Sequence, residues 1–218
     1  MADRTIQGGF FITFEGPEGA GKSTQIRRLE RVLRQRGYDV VVTREPGGTE
    51  LGERLRELLK HFAGSEGVTP EAEVLLFGAS RAQHQRLVIL PHLARGGVVL
   101  CDRFADSTTV YQGQARGLDL GFIQAMHRFS VGSRWPDLTL LLDLEVETSF
   151  ARTHRRGAEA PGPADRIEAE SRAFHEAVRR GFLELAQSAP GRFRVIAADG
   201  SIEAVQARIV EEVDRVLG

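Results

Sequence analysis

The 218-residue sequence predicts an α/β fold of three layers, with a central, mainly parallel five-stranded sheet flanked by helices. Three observations predict it. Short apolar runs alternate with stretches of helical periodicity along the whole chain, as expected for buried parallel strands joined by helical crossovers. The first apolar run leads directly into Gly16-Pro17-Glu18-Gly19-Ala20-Gly21-Lys22-Ser23, and that segment leads into the first helical stretch. There is no internal repeat, and one low-complexity stretch is all that interrupts the alternation, so a single domain over 1–218 is expected.

The elements follow in order. Residues 10–15 (FFITFE) form an apolar run that ends at glycines and read as a buried strand. Over 21–36, Ile26, Leu29, Val32 and Leu33 recur at helical spacing, and Gly37 is a natural stop. Residues 38–43 (YDVVVT) give a second strand, and REPGG at 44–48 must turn. Helices are expected over 51–62 and 72–90, the latter ending near Pro91. A third strand covers 97–101, followed by helices at 106–114 and 121–131. A fourth strand at 138–144 (LTLLLDL) precedes a helix at 146–156. GAEAPGPA at 157–164 reads as a mobile surface loop. A helix over 167–187, a strand over 193–197 and a helix over 202–217 complete the pattern.

Gly16 to Ser23 fits G-x-x-x-x-G-K-[ST] in the strand–loop–helix setting that this motif requires, which makes the expected fold that of a P-loop NTPase. The glycines let backbone N–H groups turn onto phosphate oxygens, and the helix N-terminus adds a favourable dipole. Residues 16–24, from Gly16, Pro17, Glu18, Gly19, Ala20 and Gly21 through Lys22, Ser23 and Thr24, are thus candidates to hold ATP with Mg²⁺. Lys22 would reach the β- and γ-phosphates, and the Ser23 hydroxyl would ligate the metal. Of 29 basic residues, only Lys22 and Lys60 are lysines. A chain that otherwise uses arginine has placed a compact ammonium where a planar guanidinium would crowd the loop. Asp102, at the end of an apolar strand, is a second candidate for Mg²⁺.

The bulk composition narrows the partners. A formal net charge of −1 argues against general binding to nucleic acid or anionic membranes. No stretch is apolar enough to span a bilayer, residues 1–9 lack a signal-peptide core, and Cys101 is the one cysteine. A cytoplasmic location is expected. The six histidines show no metal-binding spacing.

Further motifs carry a resemblance. FITFEGPEGAGKST at 11–24, TREPGGTELGE at 43–53, LLFGASRAQH at 75–84, CDRFADSTTVYQG at 101–113, PDLTLLLDL at 136–144 and DRIE at 165–168 make the chain similar to the thymidylate kinases, in the family's order and over nearly its whole length. The resemblance, to bacterial members, implies transfer of a phosphoryl group from ATP–Mg²⁺ to dTMP, giving dTDP in the pathway to dTTP. It further implies a homodimer, formed through helices flanking the sheet. Such a transfer needs positioning and charge neutralisation rather than a covalent nucleophile, which suits an arginine-rich site.

By resemblance, Arg44, Arg56 and Arg103 would grip the dTMP phosphate, with Arg103 also catalytic. Phe77 would stack on the base, Arg81 would donate to a thymine carbonyl, and Gln112 would face the polar edge. Thr108 and Ser107 would assist, Tyr111 would disfavour a 2′-hydroxyl, and Glu18 would meet the 3′-hydroxyl or organise Mg²⁺. A P-loop without a basic residue at 17–20 places the chain with members whose catalytic arginine lies in a closing lid. Here that lid would span about 152–166, with Arg155, Arg156 and Arg166 as candidates. Phe104 stands where the family often has tyrosine or histidine. A kinase for another nucleoside monophosphate, or a regulatory P-loop ATPase, is the alternative; an acceptor pocket argues against the ATPase.

Overall fold

The computed structural model describes residues 4–62, 64–159, 166–167 and 169–217, without the side chains at 156, 157 and 159. Five parallel strands, β1 (Phe10–Glu15), β2 (Val40–Arg44), β3 (Val98–Asp102), β4 (Leu138–Asp143) and β5 (Phe193–Ala197), lie in the order β2-β3-β1-β4-β5. The chain leaves β1 for strands on one side and later crosses to the other. The crevice beyond the C-terminal end of β1 is therefore the switch point where open α/β sheets bind ligands. Glu15, Arg44 and Asp102 end their strands at that edge.

Strand alternation builds two cores. Ile12, Phe14, Leu100 and Leu140 face α1 (Lys22–Gln35) and α9 (Ile202–Leu217), packing with Leu29, Leu33, Ile209 and Val213. On the other face Phe11, Val99 and Cys101 meet Ile89, Leu93 and Phe104, while Leu141 meets Val110, Val178 and Phe182. Thr13 shares the face of Phe11 and bonds the Thr139 hydroxyl at 2.9 Å. Glu15, two residues further on, is fully buried.

Between β2 and β3 run α2 (Glu50–His61), α3 (Pro70–His84), a wide π turn (Gln85–Ile89) and α4 (Leu90–Ala94). The helix expected to end near Pro91 passes through it. The Leu90 N–H reaches back five residues to Gln85, so the ladder is already shifted where the proline supplies no donor. After β3 come α5 (Ala105–Thr108), a second π turn (Thr109–Ala115) and α6 (Leu120–Ser130). Gly78 lets α3 and α6 approach: a Cβ there would lie 2.6 Å from the Met126 sulfur.

Several other boundaries shift by one or two residues, and three of the differences have a local cause or extent that the structure shows. Tyr38 caps α1 instead of opening β2, its N–H bonding Leu33 O at 3.1 Å across Gly37, which has φ +88°. The helix after β4, α7 (Val146–Glu159), takes in residues 157–159, the first part of the loop expected at 157–164. α8 (Arg172–Ser188) starts at a serine cap, Ser171 Oγ accepting from the Phe174 N–H, rather than at Ile167. Residues 160–165, including Asp165, and Glu168 lie outside the described residues.

Candidate active site

The loop after β1 is shaped by glycine. Gly16, Gly19 and Gly21 have φ of +126°, +71° and +89°, and a Cβ on Gly16 would sit 2.3 Å from Leu142 O. The conformation is held from outside, by Ser149 Oγ donating to Glu18 O at 2.6 Å and Arg152 to Gly19 O at 3.3 Å. Gly21, at the N-cap of α1, supplies no side-chain cap to the first turn, a helix end that favours an anion. The Lys22 ammonium folds back to Gly16 O (3.1 Å) and Pro17 O (2.8 Å). Burial and the Arg103 charge push its pKa down, against Glu18 and Asp102. Ser23 Oγ donates to Asp102 Oδ2 at 2.8 Å, so the loop hydroxyl and the strand-end carboxylate meet.

Arg103 is the hinge of the site. It is the one non-glycine residue among those described with positive φ, +69°, and its N–H bonds Phe14 O at 2.9 Å. This turn swings its side chain across the P-loop, where it donates to Glu18 Oε1 (2.6 Å) and Ser107 Oγ (3.2 Å) and lies 5.1 Å from the Tyr111 ring centroid. Burial alone would raise the Glu18 carboxyl, but the charges of Arg103 and Lys22 hold it well below the usual range.

Glu15, absent from the sequence-based candidates, braces this hinge. It accepts from the Phe104 N–H (2.8 Å) and the Ser107 hydroxyl (2.6 Å), fixing the segment that follows Arg103's turn. Burial and the nearby Asp106 raise its pKa from 4.5 to about 7, against Arg103 and its hydrogen bonds. The unfolded chain releases this proton near 4.5 and the folded one near 7, so the folded state binds more protons between those values. This contribution to stability is therefore full below pH 4.5 and lost as the pH rises to 7. Glu15→Gln is expected to remove that slope in urea unfolding across this pH range. A slope equal to that of the wild type would contradict it.

A cleft of about 790 Å³ opens from the P-loop across the ends of β1, β2 and β3. It is lined by Glu18 to Thr24 and Asp102, and also by Arg44, Arg56, Phe77, Arg81, Arg103, Ser107, Thr108, Tyr111 and Gln112. Arg44 pairs with Glu53 at 2.8 Å near the mouth, and Arg56 donates to Pro46 O at 2.9 Å. At the deep end Arg81 is 1% exposed. Its Nε donates to Glu45 Oε2 and one terminal nitrogen to Thr108 Oγ1, each at 2.8 Å. His84 and Thr43 complete this network, His84 Nδ1 lying 3.1 Å from Glu45 Oε1. The other terminal nitrogen, Nη1, is buried and has no partner among the described residues. The Tyr111 phenol, pushed up to about 12 by burial, stays protonated.

The lid candidates separate. Arg155 lines the cleft, as does Arg152, and the side chain of Arg156 lies outside the described residues. The structure does not bring Arg166 to the P-loop. It donates to Leu59 O at 2.8 Å and to Glu73 Oε2 at 3.0 Å, because two acceptors from α2 and α3 converge on it. Gly16 and Pro17 are buried behind the loop rather than exposed in the cleft. Of the histidines, His127 is buried and held neutral, its pKa down at about 3 through desolvation and the Arg81 charge. No group of three metal-binding His, Cys, Asp or Glu side chains occurs among the described residues.

The sequence and the fold have known counterparts. Residues 14–209 match the family model described as thymidylate kinase. The chain is 50% identical over 211 residues to a thymidylate kinase of Desulfosudis oleivorans, covering 94% of this chain and 97% of that one. It is 53% identical over 201 residues to one of Pseudomonas putida, covering 92% and 93%. Its structure is similar to the crystal structure of thymidylate kinase from Ehrlichia chaffeensis, with a TM-score of 0.75 and 33% identity over 95% of this chain and 99% of that one.

Proposed function

Since the chain belongs to the thymidylate kinase family, and so phosphorylates dTMP to dTDP with ATP, we propose a division of labour along its cleft. Residues 16–24 cradle the triphosphate, with Lys22 against the transferred phosphoryl group. The apolar end beyond α1, lined by Ala198, Gly200, Ile202 and Val205, takes the adenine. Ser23 and Asp102 are fit to hold Mg²⁺. A hydroxyl and a carboxylate in contact beside a phosphate cradle match a metal that takes one or two protein oxygens and completes its shell with phosphates and water. When bound, the metal would neutralise charge on the phosphates.

The acceptor enters at the arginine-lined mouth. Arg44, Arg56 and Arg103 hold its phosphate, an oxygen nucleophile already ionised, so no general base and no covalent intermediate is needed. Arg155 and Arg156 add charge from the lid side, and Arg166 anchors the chain end that follows. Glu18, paired with Arg103, faces the sugar, and Tyr111 limits its 2′ side. Phe77 stacks on the base, with Thr108 and Ser107 at its edge and Gln112 opposite its N3.

The observation that carries the thymine reading is the buried Nη1 of Arg81, which has no partner among the described residues. A buried donor without an acceptor is costly, and a base carbonyl would satisfy it. Arg81→Met should raise the KM for dTMP roughly a hundredfold and leave that for ATP within about twofold. An unchanged KM for dTMP in steady-state assays would rule out this pocket.

The chain works as one domain, with the stretch around 152–166 as a lid; Arg152 and Arg155 in the cleft wall support this. A homodimer through the α3–α6 face is supported by exposed Leu75, Leu87, Phe122 and Phe129, the last 81% exposed. A monomeric mass in light scattering would contradict it. The reduced, buried Cys101 and the nucleotide substrates support a cytoplasmic location.

A further inference from the structure

Resting on the thymine pocket proposed above, we infer that Glu73 is a specificity-determining positioning residue. It locks the Gln112 amide with its nitrogen held away from the base, so that the amide oxygen reads a protonated N3.

Glu73 lies in the first turn of α3 and is 1% exposed. Three side chains from beyond its own helix converge on it. Its Oε1 accepts from Gln112 Nε2 and from Arg116 Nε, both at 2.9 Å, and its Oε2 accepts from Arg166 at 3.0 Å. Every partner is a donor. A carboxylate offers only acceptors, whereas a primary amide has one donor end and one acceptor end. Turning the Gln112 oxygen toward Glu73 would set two acceptors against each other in a buried site. The amide orientation therefore follows from charge.

Gln112 is 2% exposed and lines the cleft with Phe77, Arg81 and Thr108. Thymine and uracil present an N3–H donor between two carbonyls, which an amide oxygen accepts. Cytosine presents a bare N3 acceptor. Against a locked Gln112 that lone pair meets another acceptor, and relief requires turning the amide away from Glu73. Arg81 reads the neighbouring carbonyl separately, since its own partners are Glu45, Thr108 and the Phe104 carbonyl rather than Glu73. The chain thus checks the pyrimidine twice, and Glu73 governs the check at N3.

The test compares dTMP with 5-methyl-dCMP, which share sugar, phosphate and methyl group and differ at positions 3 and 4. The readout is the ratio of their kcat/KM values. In Glu73→Gln the new amide can accept as well as donate, so Gln112 is free to turn and the ratio should fall about tenfold. Glu73→Asp keeps an acceptor-only group and should hold the ratio within about twofold of wild type, even where both rates drop. A purely structural role would lower both acceptors together and leave the ratio alone. An unchanged ratio in Glu73→Gln, or an equal fall in both variants, overturns the inference.

Gln112→Leu separates the two levels. If it leaves the ratio at the wild-type value, the thymine pocket itself is misread; if it collapses the ratio while Glu73→Gln does not, the inference about Glu73 alone fails. Should Glu73→Gln not fold by circular dichroism, the wild-type enzyme carries the test. The side-chain amide protons of Gln112 should be protected from exchange by NMR before and after dTMP binds. Free exchange in the unliganded enzyme overturns the inference.

Discussion

Lys22→Ala is expected to lower kcat/KM for phosphoryl transfer roughly a thousandfold while the protein stays folded. The loop does not depend on this side chain for its shape. Its backbone turns at Gly16, Gly19 and Gly21, and the Ser149 and Arg152 side chains hold it from α7. Lys22 instead spends the unliganded state folded onto the carbonyls of Gly16 and Pro17, 7% exposed, with a pKa lowered chiefly by burial. Removing it leaves two carbonyls short of a donor, about 1 kcal/mol, and relieves a buried charge. The two effects oppose each other, so thermal unfolding should shift little. What is lost is the loop's own ammonium, proposed above to meet the transferred phosphoryl group. Activity within tenfold of wild type, measured as dTMP-dependent ADP release, would contradict this role.

Arg103→Gly is expected to be comparably damaging, roughly a thousandfold in kcat/KM, with an unusual effect on stability. At φ +69° a side chain is strained by about 1 kcal/mol and glycine is not. Glycine therefore relieves the turn while deleting the guanidinium that joins Glu18, Ser107 and the Tyr111 ring. Arg103→Ala deletes the same group and keeps the strain. Both variants should be equally inactive, and the glycine variant should be about 1 kcal/mol more stable than the alanine one in urea unfolding. More than a tenth of wild-type activity in Arg103→Gly would show that backbone position, not the guanidinium, is what the site requires.

Much of this geometry was legible before folding. The limits of β1, β5 and α9 match the apolar runs to the residue, because glycine or turn residues bound each run and one periodicity fills it. The P-loop was legible for a similar reason: its spacing is local and its setting is strand-then-helix. The π turns were not, since a wide turn keeps the composition of an ordinary helix. Nor was the exit of α1, where Tyr38 reads as β-forming by type but is claimed by the helix cap.

The buried carboxylates were the larger omission. Glu15, Glu45 and Glu73 meet partners 89, 36 and 39 residues away, and nothing local distinguishes them from surface glutamates. One signal was present: Glu73, Phe77 and Arg81 fall four residues apart along one stripe of α3, so a glutamate shares the face of two base-site candidates. Arg166 shows the converse. Its nearness in sequence to the Gly/Pro-rich stretch suggested the lid, whereas Leu59 O and Glu73 hold its donors.

The account turns on a second nucleotide site that reads thymine beside the P-loop. The most direct test is ADP formation by the wild-type enzyme with ATP–Mg²⁺ and dTMP, dCMP, AMP or no acceptor. Release should depend on an added acceptor and be fastest with dTMP. Equal release with and without dTMP, or faster turnover with AMP, would contradict the account.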